Sequence, residues 1–318
     1  MDRLEEMRTF VGVVDAASIT GASERLGIAK SAVSRRLADL EERLSIQLFR
    51  RTTRRLDLTD TGRSFYERCL RILADVEEAE LAVSQQHGDL RGRLRVAVPL
   101  SFGLNHLGPA IDAFLRTHPG IEFDLDLNDR QVDLLAEGFD LAVRIAELED
   151  STLIARRLAP VRHVVCASPA YLAEHGTPRS PAELADHHCL VYANAPNPGV
   201  WAYTDSTGRQ GSVQVRARLR ANNGDCLRQA AEDGHGIVLE PSFILYRSIE
   251  ERKLIPILTD LQWPVIHAHA VYPRTRHLSR RVRAFVDFLA DRFAGVPYWD
   301  RCLQKVNHRA PAAQSIGP

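Results

Sequence analysis

Long apolar runs, cysteine pairs and any excess of one charge are missing from this chain of 318 residues. No stretch approaches the ~20 uninterrupted apolar residues of a membrane span. The opening Met1-Asp2-Arg3-Leu4-Glu5-Glu6 has no apolar core of a secretory signal, so no membrane partner is expected and the cytoplasm is the expected location. The five cysteines (Cys69, Cys166, Cys189, Cys226, Cys302) are scattered and form no Cys-x-x-Cys pair, which argues against a disulfide framework or a zinc knuckle. Forty-one basic side chains balance forty-one acidic ones. That balance excludes a protein that coats nucleic acid through bulk charge, but not one with a local basic patch.

Signatures of common enzymes are also missing. There is no P-loop and no Gly-x-Ser-x-Gly elbow, and Gly234-His235-Gly236 lacks the third glycine of a dinucleotide fingerprint. His187-His188-Cys189 and His267-Ala268-His269 are the histidine clusters, and neither has a third ligand at a suggestive spacing. No metal, no cofactor and no enzymatic activity are expected. What remains is ordinary: 45% hydrophobic and 26% charged residues, enough for two or three compact domains at roughly 100–200 residues each.

Leu4, Met7, Phe10, Val11 and Val14 recur at helical spacing. Ser18 to Thr20 offer a capping hydroxyl for a short second helix that Gly27 closes. A third helix follows, with Val33, Leu37, Leu40 and Leu44 forming its apolar stripe. Lys30, Ser31, Ser34 and Arg35 occupy a different arc at ~100° per residue, so polar groups project together from its first turns. A short helix, a tight turn and a second helix presenting such groups form the helix-turn-helix that enters the DNA major groove. Arg50, Arg51, Thr52, Thr53, Arg54 and Arg55 come next, where a β-hairpin wing would sit. Between Lys30 and Arg55 there are eight basic and three acidic residues, net +5, whereas residues 1–60 as a whole carry only +1. A local cationic face on a near-neutral domain suits phosphate contact and salt-dependent binding.

From Asp60 a long helix carries Phe65, Cys69, Ile72, Val76, Ala79 and Val83 at spacings alternating between four and three. This heptad seam has no evident partner in the preceding domain, so a helix from a second subunit is expected to cover it. Beyond Arg91 the pattern changes to alternating strands and helices. Leu94, Val96 and Val98 form one strand, and Ile121, Phe123, Leu125 and Leu127 another. The helix between them makes a right-handed crossover in a mostly parallel sheet. The reading is an α/β multidomain chain: residues 1–60 a DNA-binding head, 61–90 a linker helix, 91–302 a two-lobed α/β domain, and 303–318 a disordered tail.

The runs Ala22–Gly27, Ser31-Ala32-Val33-Ser34-Arg35, Leu48-Phe49-Arg50-Arg51 and Leu58-Thr59-Asp60-Thr61-Gly62 resemble those of LysR-type transcriptional regulators. The resemblance continues through Leu94–Gly103, Glu137–Arg144, Ser168–Leu172 and Gly234–Pro241. It implies a winged helix-turn-helix, a dimerising linker helix and a two-lobed effector domain like type 2 periplasmic binding proteins. Lobe 1 would hold about 91–165 and 268–300, and lobe 2 about 166–267. The implied partners are promoter DNA, a small-molecule effector and further copies of the chain as a dimer or tetramer, with RNA polymerase as an additional candidate.

Carried onto this sequence, the resemblance places Lys30, Ser31, Ser34 and Arg35 against base edges. Arg50, Arg51, Thr52, Arg54 and Arg55 would meet the DNA backbone. Ser101, Phe102, Asn128, Arg144, Trp201, Asn222 and Asn223 would lie near the effector cleft, where Arg144 and the helix N-terminus after Asn223 would hold a ligand carboxylate. Ala29 departs from the family's usual capping hydroxyl. A transporter's solute-binding protein would account for the C-terminal two-thirds alone, but not for the winged head.

Overall fold

The computed structural model describes residues 2–51, 56–84, 90–147, 153–274 and 278–303. Three helices open the chain, α1 (Arg3–Ala16), α2 (Ile19–Leu26) and α3 (Lys30–Leu44). Asp2 caps α1 by accepting from the Leu4 amide at 2.9 Å. Ser18 caps α2 at 3.0 Å from the Gly21 amide, and Gly27 ends it at φ 66°, a conformation glycine adopts without cost. Strands β1 (Phe49–Arg51) and β2 (Leu56–Leu58) pair antiparallel with Phe49 opposite Leu58, which is the wing hairpin. Phe10, Val33, Leu40 and Leu48 are fully buried between these elements. The Phe10 ring lies 5.4 Å from Phe49 and 5.3 Å from Phe65.

Charged pairs lock this small core. Glu6, only 3% exposed, accepts from Arg43 at 2.5 and 3.1 Å, and Arg36 reaches Glu5 at 3.0 Å. Glu41 accepts from the Leu48 and Phe49 amides at 2.7 and 3.2 Å. That fixes where α3 turns into the wing.

Helix α4 (Asp60–Ser84) spans 25 residues, roughly 37 Å at 1.5 Å per residue. Its seam is not free from end to end. Cys69 is fully buried in the head's own core and Phe65 packs there too, because the first turns of α4 lie against α1. This corrects the expectation that all of the seam awaits a second subunit. Ile72, one heptad step on, is 39% exposed, and Val76 is half-buried. The side chains of Ala79 and Val83 lie outside the described residues.

The rest of the chain begins with β3 (Arg91–Val98), α5 (Leu100–Phe102), α6 (Gly108–Thr117), β4 (Gly120–Leu127), α7 (Leu134–Glu137) and β5 (Leu141–Ala146). Then follow β6 (Leu153–Ala167), α8 (Pro169–His175), β7 (His188–Tyr192), β8 (Val200–Thr204), β9 (Gln210–Gln214) and β10 (Arg216–Ala221). The chain closes with α9 (Gly224–Glu232), β11 (Ile237–Pro241), α10 (Ser242–Glu250), β12 (Ile255–Pro256), β13 (Val265–Pro273) and α11 (Arg280–Arg292). Nine strands form one curled sheet in the order β10-β7-β11-β6-β13-β5-β3-β4, with β12 also on β6. Strand β6 runs through both halves, pairing with β13 over its first part and with β11 near its end. In one half β3 is parallel to β4 and β5, and in the other β7 is parallel to β10 and β11. The C-terminal ends of these parallel strands are where such sheets receive ligands.

Helices α8 and α10 were not expected from the sequence. Phe243, Ile244, Leu245, Ser248 and Ile249 of α10 are all buried, so this helix is covered on most of its circumference and lacks the one-sided periodicity that reveals a surface helix.

Candidate functional sites

Helix α3 divides its faces cleanly. Val33, Leu37 and Leu40 turn into the core, and Lys30, Ser31, Ser34 and Arg35 are exposed on the opposite arc. Four of the arginines of this helix and the wing differ in their commitments. Arg36 and Arg43 are held by carboxylates of α1. Arg35 forms no ion pair among the described residues, and Arg50 approaches Asp60 only at 3.9 Å with both groups mostly in water, a weak pair. Ala29 supplies no side-chain cap, which leaves the first amides of α3 available to an external acceptor. The Arg51 side chain and residues Thr52, Arg54 and Arg55 lie outside the described residues.

The second site lies where the parallel strands end. Ser101, 4% exposed, stands just past β3, and its Oγ accepts from Asn223 Nδ2 at 3.3 Å. Asn223 also caps α9, its Oδ1 accepting from the Cys226 amide at 3.1 Å. One hydrogen bond thus joins α5, just past β3, to the turn between β10 and α9. Asn128 follows β4: its amide donates to the Val98 carbonyl at 3.1 Å and its Oδ1 accepts from the Arg130 amide at 3.0 Å. Phe102 sits behind Ser101, fully buried, its ring 5.4 Å from Phe243 and 5.6 Å from Phe293. It packs the wall of the site. Asn222 is exposed.

The Asn128 side chain bonds Asp126 and Arg130 instead of Ser101 or Asn223, and Trp201 and Arg144 are not brought to this cluster. Trp201 packs in a separate core with Tyr171, Leu184 and Val213. Arg144 donates to the Val132 carbonyl at 2.8 Å. Alternation along β5 puts it on the sheet face of Ala142 and Val132, opposite the face of Val143 and Phe102. A carboxylate bound beside Ser101 would not meet this guanidinium in the arrangement described.

Residues that sequence reasoning missed complete the site. Asp129 accepts from the Leu100 amide at 3.1 Å, and burial raises its carboxyl pKa against that bond and one from Asn223. Glu240, at the end of β11, is 2% exposed, and its Oε1 has no hydrogen-bond partner. Burial first, and the nearby charges of Asp225 and Asp129 second, push the Glu240 carboxyl up to about 8. Burial, with the same acids Asp129 and Glu240 nearby, raises the Tyr192 hydroxyl at the end of β7 to about 12. A Cβ on Gly224 would stand 2.4 Å from Ile244 and 2.7 Å from Glu240 Oε2, so only glycine lets α9 start this close to the acid. The available signal was an acid closing the apolar run Ile237-Val238-Leu239-Glu240.

Neither histidine pair gains a third ligand, since no group of three possible metal-binding side chains occurs among the described residues. A separate concavity of about 850 Å³ runs along Arg162, Tyr203, Gln262, Trp263 and Asp300, and the Arg162–Asp300 pair at 3.1 Å occupies part of its wall. No helix of the described residues is long and apolar enough to cross a membrane.

Residues 4–63 match the bacterial regulatory helix-turn-helix protein, lysR family, and residues 87–294 match the LysR substrate binding domain. The chain belongs to the LysR family of transcriptional regulators. It is 37% identical over 288 residues to the transcriptional regulator CrgA of Neisseria meningitidis, covering 90% of this chain and 96% of that one. It is 35% identical over 292 residues to DmlR of Escherichia coli, covering 92% and 94% of the two chains. The solved structure of CrgA superposes with a TM-score of 0.60 at 36% identity, over 93% of this chain and all of that one. The full-length Vibrio cholerae virulence activator AphB gives 0.57 at 28% identity, over 91% and 99%. A LysR regulator is a DNA-binding protein controlled by a small molecule, not an enzyme, and this chain carries both halves of that design.

Proposed function

We propose that this LysR regulator reads promoter DNA with the first two turns of α3, grips the backbone with its wing, and dimerises through the distal part of α4. It would act in the cytoplasm, where the chromosome lies, and on a promoter RNA polymerase would be a neighbouring partner. The boundaries that suit this division are 1–60, 61–90 and 91–302. One observation carries the reading: on α3 the inward arginines are paired to Glu5 and Glu6, while Lys30, Ser31, Ser34 and Arg35 remain exposed. In the second half, the Ser101–Asn223 hydrogen bond supports an effector site between the lobes. A ligand that replaces or tightens this bond would favour one lobe placement, and the shift can be no larger than its differential affinity for the two.

Band-shift titrations on a DNA fragment selected by the protein itself test the reading. Arg35→Ala is expected to lower specific affinity by about 1–3 kcal/mol and relax one base position, as for loss of a bidentate contact to guanine. Arg50→Ala is expected to weaken all sequences alike and reduce the salt slope by about one. Indifference of binding to both substitutions and to salt would defeat the assignment. Ile72→Asp puts a charge on the exposed seam, and sedimentation should show dissociation toward monomer with the head still folded.

A further inference from the structure

We infer that the interlobe site takes a small organic cation, an amidinium, guanidinium or ammonium head on an organic body, with Glu240 as its anchor. The inference rests on the reading of this cleft as the effector site and adds the chemical class of the effector. Its starting point is an orphaned atom. Glu240 Oε1 is buried without a hydrogen-bond partner, although buried polar atoms are almost always paired and costly when they are not. A ligand that donates to this oxygen would complete the site.

Charge selects the ligand's sign. The groups that act on Glu240 are Asp225 and Asp129, both acidic. Those acting on Asp129 are the Leu100 amide, Asn223 and again Asp225. No arginine or lysine is among them, and Arg144 is held on the Val132 carbonyl. The N-terminus of α9 would ordinarily welcome an anion. Here that place is taken by the protein's own acids, with Asp225 in the first turn and Glu240 Oε2 2.7 Å from where a Cβ of Gly224 would be. An incoming carboxylate would meet Asp225, Asp129 and a buried carboxyl that resists ionisation, whereas a cation would be drawn to these acids and would favour the ionised form of Glu240. A bare metal ion is disfavoured, since no three suitable ligands converge among the described residues. The Tyr192 hydroxyl lies under the influence of the same acids.

Binding then moves a proton. Near neutral pH the empty site holds Glu240 protonated, because its carboxyl titrates at about 8. A cation stabilises the carboxylate, so the carboxyl O–H bond breaks and its proton passes to solvent, one per ligand bound. Well above that pH the carboxyl is already ionised and no proton is released.

Benzamidine, benzamide and benzoate share one planar frame with head charges of opposite sign and zero, and serve as probes on the full-length protein. Trp201, Trp263 and Trp299 are its three tryptophans, so tryptophan fluorescence follows melting of the effector domain alone. At millimolar concentration benzamidine is expected to raise the midpoint, and benzoate is not. Calorimetry in two buffers of different ionisation enthalpy should show close to one proton released with benzamidine near neutral pH and almost none at high pH. Glu240→Gln is expected to weaken benzamidine by about tenfold or more, as for loss of a buried charge-assisted partner, and to abolish the proton release. Stabilisation by benzoate, equal benzamidine affinity in wild type and variant, or no response to benzamidine would each overturn the proposal. Proton release by the wild type is read even if the variant folds poorly. DNA retention measured on the same preparations separates the two readings: its absence would sink the regulator assignment, whereas retention with a benzoate response would sink the cation alone.

Discussion

Gly62→Ala is expected to abolish operator binding by unfolding the head, while the effector domain melts as in the wild type. A Cβ at this position would lie 2.1 Å from the Leu48 carbonyl oxygen and 2.9 Å from its carbon. Both are backbone atoms that cannot turn aside. The Leu48 carbonyl is already committed, accepting from the Thr59 amide at 3.0 Å. Thr59 in turn accepts from the Gly62 amide at 2.9 Å and donates to the Gln47 carbonyl at 2.9 Å. These bonds tie the start of α4 to the end of α3 and to the wing. Overpacking of this kind costs about 1–3 kcal/mol, occasionally more, and the upper end applies where only backbone can yield. A small head has little to spare, since one or two kcal/mol is a large share of any domain's stability. Gly27→Ala is the control. Its Cβ would meet nothing within 4 Å, but φ is +66°, so the cost is confined to about 1 kcal/mol of left-handed backbone. Circular dichroism at the helical band, read beside tryptophan fluorescence, distinguishes the two variants. Wild-type DNA binding by Gly62→Ala would contradict the packing described.

The same glycine shows what a sequence can reveal. Its place in the run Leu58-Thr59-Asp60-Thr61-Gly62 is evident, whereas the reason for it, a carbonyl from fourteen residues earlier, is a tertiary fact. The head was legible because its signals are local: caps, a turn glycine and one apolar stripe per helix. The heptad period of α4 was legible too, but not which partner each residue meets. Phe65 and Cys69 serve the head and Ile72 does not, and periodicity cannot tell an internal partner from an external one.

In the effector domain the strands showed themselves by alternation, and the Asn223 cap by its position before a helix. The contents of the site did not. Ser101 and Asn223 are 122 residues apart in the chain and meet through one hydrogen bond. The resemblance alone places Trp201 and Arg144 with them, yet the pleat and the separate second core send them elsewhere. Glu240 is not legible in the sequence, because an acid after an apolar strand usually marks the return to solvent. The approach of α9 through Gly224, with Ile244 beside it, brings the fold against this acid, and Glu240 is 2% exposed.

That burial sets up the second large effect: Glu240→Gln is expected to stabilise the ligand-free effector domain at alkaline pH and to leave it nearly unchanged in acid. An ordinary glutamate titrates at 4.5, and Glu240 in the fold at about 8. Below the lower value the folded and unfolded chains both keep the proton, and the group contributes no difference. Between the two values the unfolded chain gives up its proton while the fold retains it, so stability falls as pH rises. Above about 8 both states are ionised and the loss is complete. At ~1.4 kcal/mol per pH unit across that window, the full loss is on the order of 5 kcal/mol. Glutamine keeps the size of the side chain but never ionises, and its stability should not follow this curve. His106 and Asp300 also titrate away from their ordinary values, but they are present in both proteins and cancel in the difference. Urea unfolding followed by tryptophan fluorescence from pH 5 to 9 gives that difference directly. Parallel wild-type and variant curves would mean that Glu240 finds a partner in solution, and would remove the orphaned carboxyl on which a cationic effector depends. A gap that widens toward pH 8, and then narrows when benzamidine is added to the wild type, would show the ligand repaying the strain that the empty site holds.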